Sequence, residues 1–435
     1  MEALNDTLTI TTDNSCDNLY HCRSLFQLVW SCVSVIIACT WVSVHPNVPA
    51  ADAGFWRISG EKIGLMIVTL IAPEVVVLWA ARQWFAARKL AADHRDKGWT
   101  VSHGFFVLMG GFARYRGDRL VCVLTYNGLN SREKEFVSGM LEREIKDRSH
   151  RDGLGKLIAV WQTTWFIVQL LARLAQRLPI TELEIMTVAF AAMNVLVYFF
   201  WWNKPLGVSC HIRIQDESAA APEPQIDQMT LFPDEMDQRK QVQQTVISIV
   251  KNVSEYLCES WGDFLSDYST EWDTIRIAGI VLISPFWLPI YLFKILIFAK
   301  DTGSGDKIPS FVRTPHLEPL KQQDQYIAYG AAILFGAIHC AAWTFAFPSA
   351  VERVCWRIAS VIVTCVPLYM IFAVWNHMRR HSFESESTVH YIGLVVSIAY
   401  VLARLALIVL PLLALQDLPP LAFETVEWIS FVPHI

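Results

Sequence analysis

Charge is what this chain has least of. Only 18% of its 435 residues are Asp, Glu, Lys or Arg, against about 25% in a soluble globular protein. No Lys/Arg-rich block with interleaved aromatics occurs, and the net charge is −5, so nucleic acid is excluded as a partner. Walker A, GxSxG, HExxH, GxGxxG and His-rich desaturase patterns are all absent, which removes the usual signatures of ATP-driven transport and of the common hydrolases. There is no CxxC and no Cys/His set at zinc spacing, so neither a metal nor a cofactor is expected. Nor is a cleavable signal peptide expected. The first 24 residues are polar, and the apolar run that follows is too long for a signal core.

What the chain has instead is long apolar runs. Hydrophobic residues make up 53% of it, and its mean hydropathy is +0.33. Eight stretches, residues 25–44, 64–81, 157–178, 185–202, 277–299, 326–347, 356–377 and 391–415, each approach the roughly 20 apolar residues that span a bilayer. The expected fold is all-α, a polytopic membrane helix bundle of about eight transmembrane helices with small cytosolic loop elements. The expected order is a tail (1–24), helices 1–2 (25–84), a loop subdomain (85–156), helices 3–4 (157–202), a second loop (203–275), helices 5–8 (276–415) and a final tail (416–435). Such a protein is integral to the endoplasmic reticulum or plasma membrane, and membrane lipid is its first partner.

Fourteen Lys/Arg lie in 85–156, so this loop is expected in the cytosol. With eight spans both termini are then cytosolic too. The sequon Asn5-Asp6-Thr7 disagrees with that placement, and Cys16 and Cys22 would suit a disulfide only in an oxidising compartment. Within the loop, Gly104 to Gly111 and Leu120 to Thr125 read as the strands of a hairpin, and 131–150 as a charged helix. In the second loop, 217–237 has a disorder-like composition. Val246, Val250, Val253 and Leu257 then give an amphipathic helix for the membrane surface.

Two places in the sequence echo each other. Cys39, Trp41, His45-Pro46 and Trp56-Arg57-Ile58 resemble Cys340, Trp343, Phe347-Pro348 and Trp356-Arg357-Ile358. Pro73 and Pro367 then fall mid-span, and Leu171-Ala-Arg173-Leu-Ala matches Leu402-Ala-Arg404-Leu-Ala. Spans 1–3 thus resemble spans 6–8, an odd shift that makes the units antiparallel, as in the inverted repeats of secondary transporters. Coincidence among Trp-, Ala- and Leu-rich helices is the plainer account.

Ionisable residues inside apolar spans are the candidates for chemistry, because each one there needs a partner or a role. Glu74 directly follows Pro73, which frees a backbone carbonyl nearby. It reads either as a proton donor or ion ligand, or as one half of a structural pair with Arg173. Gln162, Gln169 and Arg173, at spacings of seven and four, form one polar stripe on a helix face. Arg404 takes the equivalent place in the last span. His339 is a candidate proton relay, or a packed core histidine. Trp165 and Trp343, well inside spans, offer aromatic faces to a cation, although packing explains them equally. Glu259, Asp263 and Asp267 repeat every four residues. That spacing can hold Mg²⁺ and a diphosphate, but intramembrane prenyltransferases use two such motifs, so a solvated acidic face is the better reading.

Several runs together resemble a fungal family of polytopic membrane proteins. They are Trp30-Ser-Cys32 through Cys39-Thr-Trp41 to His45-Pro-Asn-Val-Pro49, Ile71-Ala-Pro-Glu74, His103-Gly-Phe-Phe through Met109-Gly-Gly-Phe112, and Gln162-Thr-Thr-Trp-Phe166 with Ala172-Arg173. Leu178-Pro-Ile-Thr-Glu-Leu-Glu184, Trp201-Trp-Asn-Lys-Pro205, His339 with Trp343, and Trp428 to His434 complete the pattern. The resemblance brings no established reaction with it. A looser likeness to membrane terpene cyclases of fungal meroterpenoid pathways implies a lipophilic small-molecule substrate and secondary metabolism.

Three functions are consistent with these residues. The leading one is a membrane-embedded enzyme on an isoprenoid-like substrate, performing acid-initiated terpene cyclisation. Glu74, Arg173 and His339 are its catalytic candidates, and Gln162, Gln169, Trp165, Trp343 and Arg404 its substrate-binding ones. The alternatives are a proton- or ion-coupled transporter or channel, and a non-catalytic membrane scaffold.

Overall fold

The computed structural model describes residues 22–149, 153–216, 307–311, 323–380 and 386–427. The apolar stretch 277–299, the acidic residues Glu259, Asp263 and Asp267, the 217–237 stretch, the run Val246 to Leu257 and the tail from Trp428 lie outside the described residues. The chain divides into two units, one of Met1–Gln215 with Leu292–Ile435 and one of Asp216–Tyr291. All of the secondary structure described belongs to the first.

Long helices dominate that unit. α1 (Leu25–Ser43) starts from a reciprocal cap in which Ser24 and Gln27 bond each other's backbone N–H. α2 (Phe55–Ile71) and α3 (Pro73–Asp93) follow. After an intervening loop come α7 (Gly153–Ala175) and α8 (Glu182–Phe200), the latter capped by Thr181 and Glu184 in the same way. α9 (Gln323–Cys340), α10 (Ala350–Arg380, with Pro367 inside it) and α11 (Glu386–Ala414) complete the bundle among the described residues. Among the described residues, five helices are long and apolar enough to cross a membrane: α1, α7, α8, α9 with its following turn, and α10. Their outer faces expose Phe26, Trp30, Trp41, Trp161, Phe199 and Phe372. An apolar surface of that kind suits lipid rather than water.

The second apolar stretch departs from the expected straight span. α2 ends at Ile71, Ala72 turns (φ −143°, ψ 69°), and α3 restarts with Pro73 in its first turn, as proline prefers. The two axes are bent by 115°. Every residue of α3 from 73 to 83 is buried, since this helix packs against α8, α9 and α4 (Val101–Leu108). A helix covered on all sides needs apolar residues all round, which is what Val75 to Ala81 supply.

The loop between α3 and α7 also differs from expectation. Gly104 to Leu108 is helical, within α4, because Thr100 and His103 cap its start and the helix is buried throughout. The hairpin pairs β1 (Phe112–Arg116) with β2 (Arg119–Val123), and β3 (Ile212–Gln215) adds to β1 in parallel, giving the order β2-β1-β3. The charged run forms two short helices, α5 (Ser131–Gly139) and α6 (Glu142–Asp147), separated at Met140-Leu141.

The contacts define two ends of the bundle. At one end, Arg23 pairs with Glu184 at 2.6 Å and its backbone N–H donates to Phe423 O, while Cys22 bridges Glu424. Arg173, closing α7, donates to Glu424 O at 2.6 Å. At the other end lie the sheet, the end of α1 and the end of α8: Val48 N–H donates to Met109 O, and Lys204 Nζ to His45 O. α2 and α3 both open onto this second end. Lys307 pairs with Glu61 of α2. The adjacent Ile308 carbonyl accepts from Asn47, whose Oδ1 in turn takes a bond from Gln83 of α3. The bent pair therefore enters and returns at one end, as a re-entrant hairpin does. The expectation of both termini beside the 85–156 loop is corrected accordingly. α1 alone separates Cys22 and Arg23 from that loop, and these two residues meet Ala422 to Glu424 at the opposite end.

Gly104 shows how tightly α4 is seated on α3. A Cβ there would stand 2.5 Å from Ala87 O and 2.8 Å from Ala87 Cα. Gly104→Ala is expected to destabilise the protein by about 1–3 kcal/mol, read as a lower melting temperature in detergent. Gly60→Ala, at a helical site with nothing within 4 Å, should leave that temperature unchanged or raise it.

Candidate functional site

The break between α2 and α3 exposes backbone polar groups in the middle of an apolar bundle, where they must find partners. Arg404 of α11 supplies one. Its Nη2 donates to Ile71 O at 3.2 Å, the last carbonyl of α2. The same Nη2 stands 3.4 Å from Glu74 Oε2, and Tyr400, one helical turn earlier on α11, donates its hydroxyl to Glu74 Oε1 at 3.0 Å. The Arg404 guanidinium also lies 3.8 Å over the Phe335 ring. Phe335 touches His339, with ring centroids 4.4 Å apart, and His339 Nδ1 bonds Phe335 O at 2.7 Å.

This centre is deep. Arg404 is ten residues before the end of α11 at Ala414, about 15 Å along the axis, or half of a roughly 30 Å hydrocarbon core. Glu74, Arg404 and His339 are 6%, 4% and 0% exposed. Even so, Glu74 Oε2, Arg404 Nε and His339 Nε2 carry no hydrogen bond. A charged residue at mid-bilayer costs about 2.5–3.5 kcal/mol on insertion scales, and Glu74 Oε2 offsets that cost through the 3.4 Å ion pair with Arg404.

The remaining sequence candidates lie elsewhere. Arg173 is not the partner of Glu74. It sits at the outer end of α7, spread over the carbonyls of Pro179, Ala422 and Glu424, where it ties the C-terminal tail down. Gln162 and Gln169 are half-buried on α7, a helix packed mainly on α1. Trp165 and Trp343 are 45% and 41% exposed, and Trp343 carries Arg357 on its ring at 5.1 Å. The structure thus unites Glu74, Arg404 and His339, adds Tyr400, and separates Arg173, both glutamines and both tryptophans from them.

A second buried charge was missed altogether. Lys204, just past α8, is 3% exposed. Its Nζ donates to His45 O at 2.6 Å, Gln83 Oε1 at 3.0 Å and Asn47 Oδ1 at 3.2 Å. It stands 4.5 Å from the Trp201 ring centroid and 4.8 Å from that of Trp79. Trp201 Nε1 and Gln83 Oε1 are bonded at 2.9 Å, closing the network. Burial pushes the Lys204 ammonium well below the usual lysine range, while three acceptors and two aromatic faces act to keep its proton. All three N–H donors are used, so Lys204 clamps α1, α3 and α8 together rather than reacting. A lone lysine following Trp201-Trp202 looks like an interfacial anchor in sequence. Only its three-dimensional neighbours distinguish the two roles. Among the described residues, no three His, Cys, Asp or Glu side chains converge to hold a metal.

Residues 9–232, just over half of the chain, match a family described only as of unknown function, DUF8562. The chain belongs to this family. No curated protein and no solved structure matches it. The DUF8562 match contains every residue of the Lys204 clamp. It also contains Glu74, but ends before His339, Tyr400 and Arg404.

Two outcomes test these centres. Removing one member of a buried ion pair costs about 3–5 kcal/mol, so Glu74→Gln and Arg404→Met are each expected to lower thermal stability, and the double variant to recover part of the loss. For Lys204, the folded-state value lies below the ordinary 10.5. Between those two values the unfolded chain binds the extra proton, so this contribution to stability rises with pH across the window and is complete above the unfolded value. Measured melting temperatures of the unsubstituted protein relative to Lys204→Met should increase from neutral towards alkaline pH. A flat difference would show an ammonium that stays charged.

Proposed function

We propose that this protein is a membrane carrier that moves a small polar or ionic solute, coupled to protonation or ion binding, with Glu74, Arg404, Tyr400 and His339 as its binding centre. One observation carries the reading: a re-entrant helix pair breaks near mid-depth beside a buried Glu74–Arg404 ion pair, in which Arg404 Nε and the neighbouring His339 Nε2 carry no hydrogen bond. Broken helices with ionisable side chains at half-depth are a recurring plan of secondary transporters. The C-terminal carbonyls of α2 attract a cationic group and the N-terminal turn of α3 an anionic one. The inverted repeat of spans 1–3 and 6–8 belongs to this proposal. Pro73 opens a helix at the break whereas Pro367 lies inside unbroken α10, so any repeat has diverged at its centre.

The cyclase reading asks Glu74 to give a proton to an olefin or epoxide, and Trp165 and Trp343 to surround the resulting cation. Glu74 instead accepts from Tyr400, and the two rings are on the outer surface. The support therefore goes to the carrier.

Reconstituted proteoliposomes loaded with a pH-sensitive dye decide between them. Against a panel of amino acids, carboxylates, nucleobases, sugars and amines, at least one solute is expected to change internal pH faster than in empty vesicles, and Glu74→Gln to abolish the response. Conversion of a prenylated extract substrate by the purified protein, with no solute flux, would favour the enzyme. Neither effect would favour the scaffold.

A further inference from the structure

We propose that the buried Arg82–Asp324 ion pair is a separable latch that closes the bundle between the Glu74 centre and the sheet end. Arg82 Nε donates to Asp324 Oδ2 at 2.7 Å, and both side chains are 5% exposed. Arg82 lies on α3 and Asp324 in the first turn of α9, two helices that pack on each other. The latch deepens the carrier reading and rests on it for its purpose, although its test needs no solute.

The pair forms a layer of its own. Arg82 is eight residues past Glu74, about 12 Å along α3. Asp324 is eleven residues before Phe335, whose ring carries the Arg404 guanidinium, about 16 Å along α9. Both helices therefore run from the Glu74–Arg404 layer to the Arg82–Asp324 layer near the sheet end. Trp79 stands between the two layers on α3. It is 2% exposed, and its Nε1 carries no hydrogen bond, a donor left unused in this closed arrangement. Its ring meets that of Phe311 at 4.6 Å, and Phe311 has a left-handed backbone (φ 64°), which an aromatic residue adopts only under constraint.

Stability alone does not explain an ion pair here. Replacing a buried pair by well-packed apolar side chains is often neutral or stabilising, because both ions give up their hydration. The two choices differ when the helices part. Separated ions regain water, whereas separated apolar side chains lose their burial. A charged pair thus suits a contact that opens. The next residue of α3 makes the opposite kind of contact. Gln83 joins the Lys204 network, in which every ammonium N–H is used and α1, α3 and α8 are held together. α3 is fixed on that side and latched through Arg82 on the α9 side, so opening at α9 leads to Trp79 and then to Glu74.

Thiol labelling of the full chain in lipid nanodiscs tests the latch. Ala331 is 3% exposed and lies one helical turn before Phe335 on the same face of α9. Ala331→Cys therefore reports water entering between the layers, read as the rate at which that peptide is modified by a charged methanethiosulfonate. With Arg82 and Asp324 in place a slow, measurable rate is expected. Asp324→Asn should raise it about tenfold, and the exchanged pair, Arg82→Asp with Asp324→Arg, should return it towards the starting value. The decisive variant is Arg82→Met with Asp324→Leu. It is expected to keep the melting temperature while slowing the modification about tenfold, because an apolar pair does not open to water. A purely structural pair predicts equal rates with and without that double substitution, and equal rates overturn the latch. So does an unchanged rate in Asp324→Asn, or no modification of Ala331→Cys in any variant. The expected rates without flux of any panel solute would keep the latch and remove the carrier.

Discussion

A helix interrupted inside an apolar bundle leaves carbonyls without donors, and most of this architecture follows from how that demand is met at Ala72. The last carbonyl of α2 goes to Arg404, which brings a guanidinium into the interior. The guanidinium needs an anion, and Glu74 in the next turn of chain provides it. Tyr400 and Phe335 complete the enclosure with one hydroxyl and one ring face. Break, ion pair and aromatic wall are thus mutually dependent. An unbroken α2–α3 helix would leave Arg404 buried without its carbonyl.

Lys204 solves a related problem at the sheet end. The chain leaves α1 through His45-Pro46-Asn47, a segment that cannot satisfy its own backbone by helical bonds. One ammonium gathers the His45 carbonyl, the Asn47 amide oxygen and the Gln83 amide oxygen. The two centres lie at either end of the buried part of α3. Glu74 is in its first turn and Gln83 nine residues on, about 13 Å away. α3 is therefore a rigid spacer between a charge that is fully satisfied and one that is not.

Much of this was legible in the sequence, for identifiable reasons. Apolar length locates α1, α7, α8, α9 and α10, because only long apolar runs meet the bilayer's thickness. The functional weight of Glu74, His339 and Arg404 is legible because ionisable residues are rare in such runs. The pairing of Arg404 with Glu74 is not: Arg173 sits in an equally apolar run with nearly the same neighbours, and only the packing of α11 on the break separates them. The bend at Ala72 was hidden because Pro73 fits either a kinked span or a helix start. α4 reads as a strand in sequence because Phe105, Phe106 and Val107 favour both states, and the cap from Thr100 to His103 decides between them. Lys204 was illegible because its acceptors come from three separate segments.

The strap that joins the two tails has a consequence for biosynthesis. Arg23, next to the first helix, donates to the carbonyl of Ala422, 399 residues further along. At synthesis rates of about 5–20 residues per second, that partner does not exist until roughly 20–80 s after Arg23 has been made. α1 enters the membrane with its basic end unclaimed by the tail, and the bundle closes only when the last helix has been delivered. The Arg23–Ala422 contact forms last among these helices, so the nascent chain stays open at that seam until Ala422 has been made.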